Sequence, residues 1–170
     1  EWVVDLNEWT EDEEENYKEN RYYIYTTEAK NSHSIACEIA KAKSATNIAS
    51  EVSTFIKHSF ASSKHGNPSA ENGKISEYIQ EDLLKVVNAN ISGIRYIETY
   101  WEKHEFNLEE GSKVPRKGFT CSSLVKISKK DLKSAFKMAK DKLAMKTQVD
   151  AKAKATVEKI MQEATSKYTN

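Results

Sequence analysis

The sequence contains no glycine-rich phosphate loop after a strand, no nucleophile elbow, no HExxH and no CxxC. With them go the usual anchors of nucleotide hydrolysis, serine hydrolysis, zinc proteolysis and thiol exchange. Net charge is absent too, 26 basic residues balancing 26 acidic ones, which argues against general nucleic-acid binding. No apolar run reaches the length of a membrane span. The apolar fraction, 38%, is low and suits a modest core with much solvated helix surface. Cysteine is scarce. Cys37 and Cys121 are too few for a disulfide framework. Two buried free thiols are the expected reading; a bridge forms if the helix carrying Cys37 packs on the strand carrying Cys121.

What is present is a scaffold. At 170 residues the chain suits one domain, or one with an appendage. Tyr22–Thr27 is aromatic and β-branched and reads as a strand. A polar turn at Lys30-Asn31-Ser32 then opens a long Ala-rich helix reaching about Phe60. Its apolar stripe is Ile35, Ile39, Ala42, Ala45, Ala49, Val52 and Ile56. Such a helix is about 40 Å long and overhangs a strand of about 17–20 Å. Val52, Phe55, Ile56 and Phe60 are therefore expected to need cover from a second helix or another subunit.

Ala61–Gly73 is the clearest break, rich in Ser, Asn, Gly and Pro. His58 and His65 flank it without the company a metal needs and read as exposed histidines. Ile75–Asn90 is a helix, with Ser76 as its expected cap. Ile91–Trp101 and Gly118–Ile127 are strands of a hairpin with a long loop over Lys103–Lys117. In the first, Ile94, Tyr96, Glu98 and Tyr100 are expected on one face, and Arg95, Ile97, Thr99 and Trp101 on the other. Glu98 and Glu102 could be read as an acid pair, but ordinary surface carboxylates fit as well. Tyr100, Trp101 and His104 are a candidate ligand platform. From Ser128 onward neither Gly nor Pro occurs. Ser128 and Asp131 have capping-box spacing. A helix with stripes at Leu132, Phe136, Ala139, Leu143 and at Val149, Ala153, Val157, Ile160, Ala164 follows, kinked or rotated near Lys146–Gln148. If continuous it is about 60 Å long and must project. Val149, Ala153, Val157, Ile160 and Met161 are expected to meet another chain.

Two further segments carry charge or aromatics. Residues 1–20 hold nine acids against Lys18, about −8, including the run Glu11–Glu15, which reads as a solvated loop. Residues 113–146 hold eleven bases against Asp131 and Asp141, about +9. Trp2, Val3, Val4, Leu6 and Trp9 read as a short strand or an arm pinned on the core. Glu1 is not an initiator methionine, so any signal segment or lipid-bearing cysteine is expected upstream.

The expected fold is α+β. A small antiparallel sheet of three to four strands is packed by the long Ala-rich helix, with a second shorter helix and a long projecting C-terminal helix. Residues 1–20 form an arm with the acidic loop, 21–140 the α+β domain and 141–170 a helical extension. The order of segments resembles the small outer-membrane lipoprotein family that includes flagellar motility lipoproteins, and is similar to the first domain of a flagellar ring protein. The residues carrying the likeness are Trp2, Thr26-Thr27-Glu28-Ala29, the alanines of the long helix, Ile91-Ser92-Gly93-Ile94, Tyr96–Trp101 and Ser123–Leu132. The family has glycine in its first strand motif where this chain has Thr26-Thr27. The resemblance implies a non-enzymatic structural subunit at the periplasm or the periplasmic face of the outer membrane. Its partners would be copies of itself, in a ring, and other assembly proteins. No cofactor, metal or nucleic acid is implied, and contact with a membrane only indirectly or through an upstream lipid anchor. The alternatives are a periplasmic module binding a glycan or lipid, and a structural component of a virion or secretion machine.

Overall fold

The computed structural model describes residues 2–6, 9, 18–106, 116–147 and 150–170. The acidic run Glu11–Glu15, the loop over 107–115 and Val149 lie outside them. The fold is α+β, as the sequence indicates. It divides into two compact units: Glu1–Asn47 with Ile94–Ile127, and Ile48–Gly93 with Ser128–Asn170. The division differs from the expected one at residue 140. The strands of the hairpin join the first strand in one sheet, so the intervening helices gather into a unit of their own.

In the first unit, β1 (Asn20–Thr26), β2 (Arg95–Phe106) and β3 (Arg116–Ser128) form a sheet of order β1-β3-β2. β3 is central and buried from Cys121 to Val125, which fits its small and β-branched residues Cys121, Ser122, Ser123 and Val125. It pairs antiparallel with β2, Trp101 opposite Cys121 and Tyr100 opposite Ser122, with a bulge at Ile97 between Tyr96 and Glu98. The hairpin is the expected one, but its strands run further into the presumed loop, to Phe106 and from Arg116. Thr26 and Thr27 bind β3. Thr27 exchanges hydrogen bonds with Cys121, its N–H donating to the carbonyl (2.9 Å) and its hydroxyl accepting the Cys121 N–H (3.0 Å). Thr26 Oγ1 meets Ser122 Oγ at 2.7 Å.

α1 (His33–Ala61) begins where Ser32 predicts. A disulfide joins Cys37 to Cys121, their Cα atoms 5.0 Å apart. It decides which face of the first turns is buried. Ala36 and Ala40 lie with Tyr25 and Cys121, while Ile35 is half exposed and Ala42 is exposed. The predicted stripe is thus off by about one residue at its start: the residues nearest the bridge must be small, whatever the apolar spacing prefers. On the other sheet face, Trp2 packs with Tyr22 and Leu124, and Val3, Leu6, Trp9 and Ile24 join them. The arm is pinned as expected, through turn rather than strand at residues 2–4.

Beside Cys121, Ser123 is fully buried, and its hydroxyl has no partner among the described residues. An unmatched buried hydroxyl costs about 1–3 kcal/mol. Ser123→Ala should therefore stabilise the protein by about 1 kcal/mol, read as a raised midpoint in urea.

The second unit is helical. After α1 come α2 (Pro68–Glu71), α3 (Gly73–Glu77), a single π turn (Tyr78–Asp82) and α4 (Leu83–Asn90). Asn72, not Ser76, caps α3, its side chain accepting the Lys74 N–H at 3.0 Å. α5 (Lys129–Thr147) follows β3 directly, and Ser128 and Asp131 cap it as their spacing predicts, at 2.6 and 3.0 Å. The last helix, α6 (Ala151–Thr169), starts afresh at Asp150, whose carboxylate accepts the Ala153 N–H at 2.8 Å.

The long C-terminal helix is present, but this new start divides the expected single rod into two helices. The chain direction reverses from the one helix to the other, where a kink near Lys146–Gln148 is expected. α5 and α6 have 19 residues each, about 28 Å at 1.5 Å per residue. They lie antiparallel, with Lys129 Nζ donating to the Asn170 carbonyl at 3.3 Å and the Phe136 and Tyr168 rings 5.4 Å apart. Tyr168 also meets Phe55 at 5.0 Å and donates to Glu51 at 2.8 Å.

At the entry to α5, Gly93 has φ +74°, and a Cβ there would run into the Asp131 carboxylate. Gly93→Ala should cost about 2 kcal/mol, from backbone strain plus the disturbed cap. Gly66 has φ +91° with open space around it, so Gly66→Ala should cost about 1 kcal/mol. Thermal melts of the pair test the difference.

Candidate interaction surface

Several residues expected at an intersubunit contact are core residues of the second unit. Val52, Ile56, Phe60, Val157, Ile160 and Met161 are all buried by their own chain. Phe55 and Ala153 are half-buried, and Val149 is outside the described residues. The long α1 is covered, but by helices of the same molecule. The stripe is a packing face, and its cover comes from its own chain rather than from another.

Among the described residues, the strand with most exposed surface is β2. It is an edge strand, and most of its residues are exposed on both faces. Tyr96, Ile97, Tyr100, Trp101 and Phe106 are each between 42% and 50% exposed. Residues directly opposite in a sheet share a face. Thr99, Trp101 and Lys103 therefore lie on the Cys121 face, and the bulge at Ile97 brings Tyr96 onto it, opposite Val125. There Tyr96 donates to the Lys41 carbonyl at 2.9 Å, and Trp101 stacks on His33 with centroids 4.9 Å apart. Glu98, Tyr100, Glu102, His104 and Phe106 share the other face. Trp2 Nε1 donates to Glu98 at 2.8 Å, Tyr100 donates to Glu102 at 3.3 Å, and His104 Nε2 meets Thr120 Oγ1 at 2.8 Å.

The candidate platform of Tyr100, Trp101 and His104 is thus divided. Tyr100 and His104 lie on one face and Trp101 on the other, where its stacking partner is His33, a residue the sequence pattern does not single out. The expected alternation also fails at Tyr96, because the bulged residue changes the parity. Glu98 and Glu102 are four strand residues apart, about 13 Å, too far to share a proton. The signal for an exposed strand is legible afterwards: charged residues alternate onto both faces (Glu98 and Glu102 on one, Lys103 and Glu105 on the other), so neither face can be sealed.

Elsewhere, polar contacts serve the helical unit. His65 Nε2 meets Glu163 at 2.8 Å, so His65 is half-buried and paired rather than free. Glu163 is held below the usual carboxylate range, first by that hydrogen bond. Burial, and then the charge of Asp82, raise the Tyr78 hydroxyl, which donates to the Ala139 carbonyl at 2.8 Å. Lys146 bonds Asp82 at 2.6 Å and lowers its pKa. A carboxyl depressed in the fold adds stability above its unfolded pKa, near 4, and loses it as pH falls through the lower folded value. The Tm gap between the natural chain and Asp82→Asn should accordingly shrink below about pH 4, in melts from pH 7 to pH 2. A groove of about 460 Å³ between α5 and α6 is lined by Lys133, Lys137, Lys140 and Glu158. Among the described residues no group of three or more His, Cys, Asp or Glu is placed to hold a metal, and no helix is long and apolar enough to cross a membrane.

No family model matches the chain, and no curated protein or solved structure matches it.

Proposed function

We propose that the chain is a non-enzymatic structural subunit of an envelope-associated multimeric assembly, working through protein–protein contacts at the free edge of β2. The carrying observation is that strand: twelve residues at a sheet edge, with large apolar side chains exposed on both faces. An edge strand offers unpaired N–H and C=O groups, and strand addition is the recognition mode that uses them. The Cys37–Cys121 bridge supports an oxidising compartment, and the resemblance to outer-membrane lipoproteins supports the periplasmic face of that membrane. The overlong-helix argument contributes nothing, since both helices are covered. A glycan or lipid platform is less well supported, because its aromatic residues fall on opposite faces.

The test is a paired substitution, Tyr100→Glu with Phe106→Glu, in the native host. Both side chains are exposed, so stability should change by less than about 1 kcal/mol. The variant should leave the high-mass envelope fraction and sediment alone. If it remains there at natural abundance, β2 is not the contact.

A further inference from the structure

We infer that the occupant of the β2 edge is β2 of a second copy, paired antiparallel about a two-fold axis through Trp101. The inference rests on the reading of β2 as a contact edge and adds the partner and the register.

Charge and parity select the register. A two-fold axis perpendicular to the sheet makes the pairing antiparallel and keeps each face on its own side. Opposed residues must then share a face, so the axis passes through a residue. Regular alternation extends from Glu98, just past the bulge, to Phe106. An axis through Tyr100 sets Glu98 against Glu102 in both halves. An axis through Glu102 or Lys103 sets that residue against itself. Directly opposed like charges are unfavourable. An axis through Thr99 meets the bulge almost at once, and one through His104 leaves just Glu102–Phe106 paired. Parallel in-register pairing would put every charge on β2 against its own copy.

The axis through Trp101 avoids all of these. It pairs Glu98–His104 of one copy with His104–Glu98 of the other. Glu98 faces His104 twice, Thr99 faces Lys103, Tyr100 faces Glu102, and the two indoles meet at the centre. Aromatic cross-strand pairs are favourable. The charges on this edge thus select one register, where scattered charges usually serve to forbid pairing. The proposed junction would continue the three-stranded sheet into a six-stranded one.

Single cysteines at Tyr100→Cys, Trp101→Cys, Glu102→Cys and His104→Cys, with Cys37–Cys121 intact, test the register with a short bismaleimide. Covalent dimer should form at least tenfold faster from Trp101→Cys than from the other three. A maximum at any other position overturns the inference. Since Trp101→Cys removes the central indole, sedimentation of the natural chain gives a second readout, and a monomer–dimer equilibrium is expected. A natural chain that stays monomeric at millimolar concentration, with no cross-linking, also overturns it. In that case loss of assembly by the Tyr100/Phe106 glutamate variant would show that the edge meets a different protein, so the two readings fail separately.

Discussion

Cys121→Ala should lower stability by about 4.5 kcal/mol. The bridge closes a sequence separation of 84 residues. The chain-entropy relation gives roughly that value for a loop of this length. Domains are typically stable by about 5–15 kcal/mol, so the loss is a large share of the total. At about 2–4 °C per kcal/mol for a chain of this size, Tm should fall by roughly 10–18 °C. Cys37→Ala should cost nearly as much, and the double substitution little more than either, since both remove one bond. Reducing the natural chain should reproduce the effect. A Cys121→Ala protein melting within about 2 °C of its parent would mean that the bridge does not constrain the chain. Such a bridge also explains the helix residues that share its surroundings: Ala36 and Ala40 are small where the backbones come close.

Phe136→Ala is the second large effect, at about 4 kcal/mol. The ring is 1% exposed and lies 5.4 Å from Tyr168. Truncating a buried phenylalanine typically costs about 3–5 kcal/mol, from lost transfer free energy and the cavity left behind. Tyr168 anchors α6 through Phe55 and Glu51 as well, so the damage should concentrate there. Hydrogen exchange should show the amides of α6 losing protection before those of α3 and α4. A cost below about 1 kcal/mol would mean that α6 does not depend on this contact. The reversal between α5 and α6 would then be weakly held.

The local grammar of the chain was readable. Ser32 and the Ser128–Asp131 pair mark helix starts, and β-branched and aromatic runs mark all three strands. The stripes at Leu132–Leu143 and Val157–Ala164 are true packing faces. What they packed against was not readable, because periodicity reports that a face is buried and not which element buries it. The reversal after Thr147 has no Gly or Pro to announce it; its visible signal is Asp150, a capping residue within a run otherwise taken as continuous. Likewise the bridge shifted the start of the α1 stripe, and the bulge at Ile97 reversed the parity of Tyr96. The candidate surface was half legible. Aromatic residues on β2 attracted notice, but they were read as one platform, and edge position cannot be seen until strand order is known.

Hydrogen exchange across β2 tests the central claim most directly, comparing the assembled protein with the isolated chain at low concentration. The account predicts that amides of Glu98–His104 directed away from β3 exchange freely in the isolated chain. In the assembly they should slow at least tenfold, with α6 unchanged. Equal exchange of β2 in both states, with new protection on α5 or α6 instead, would contradict it.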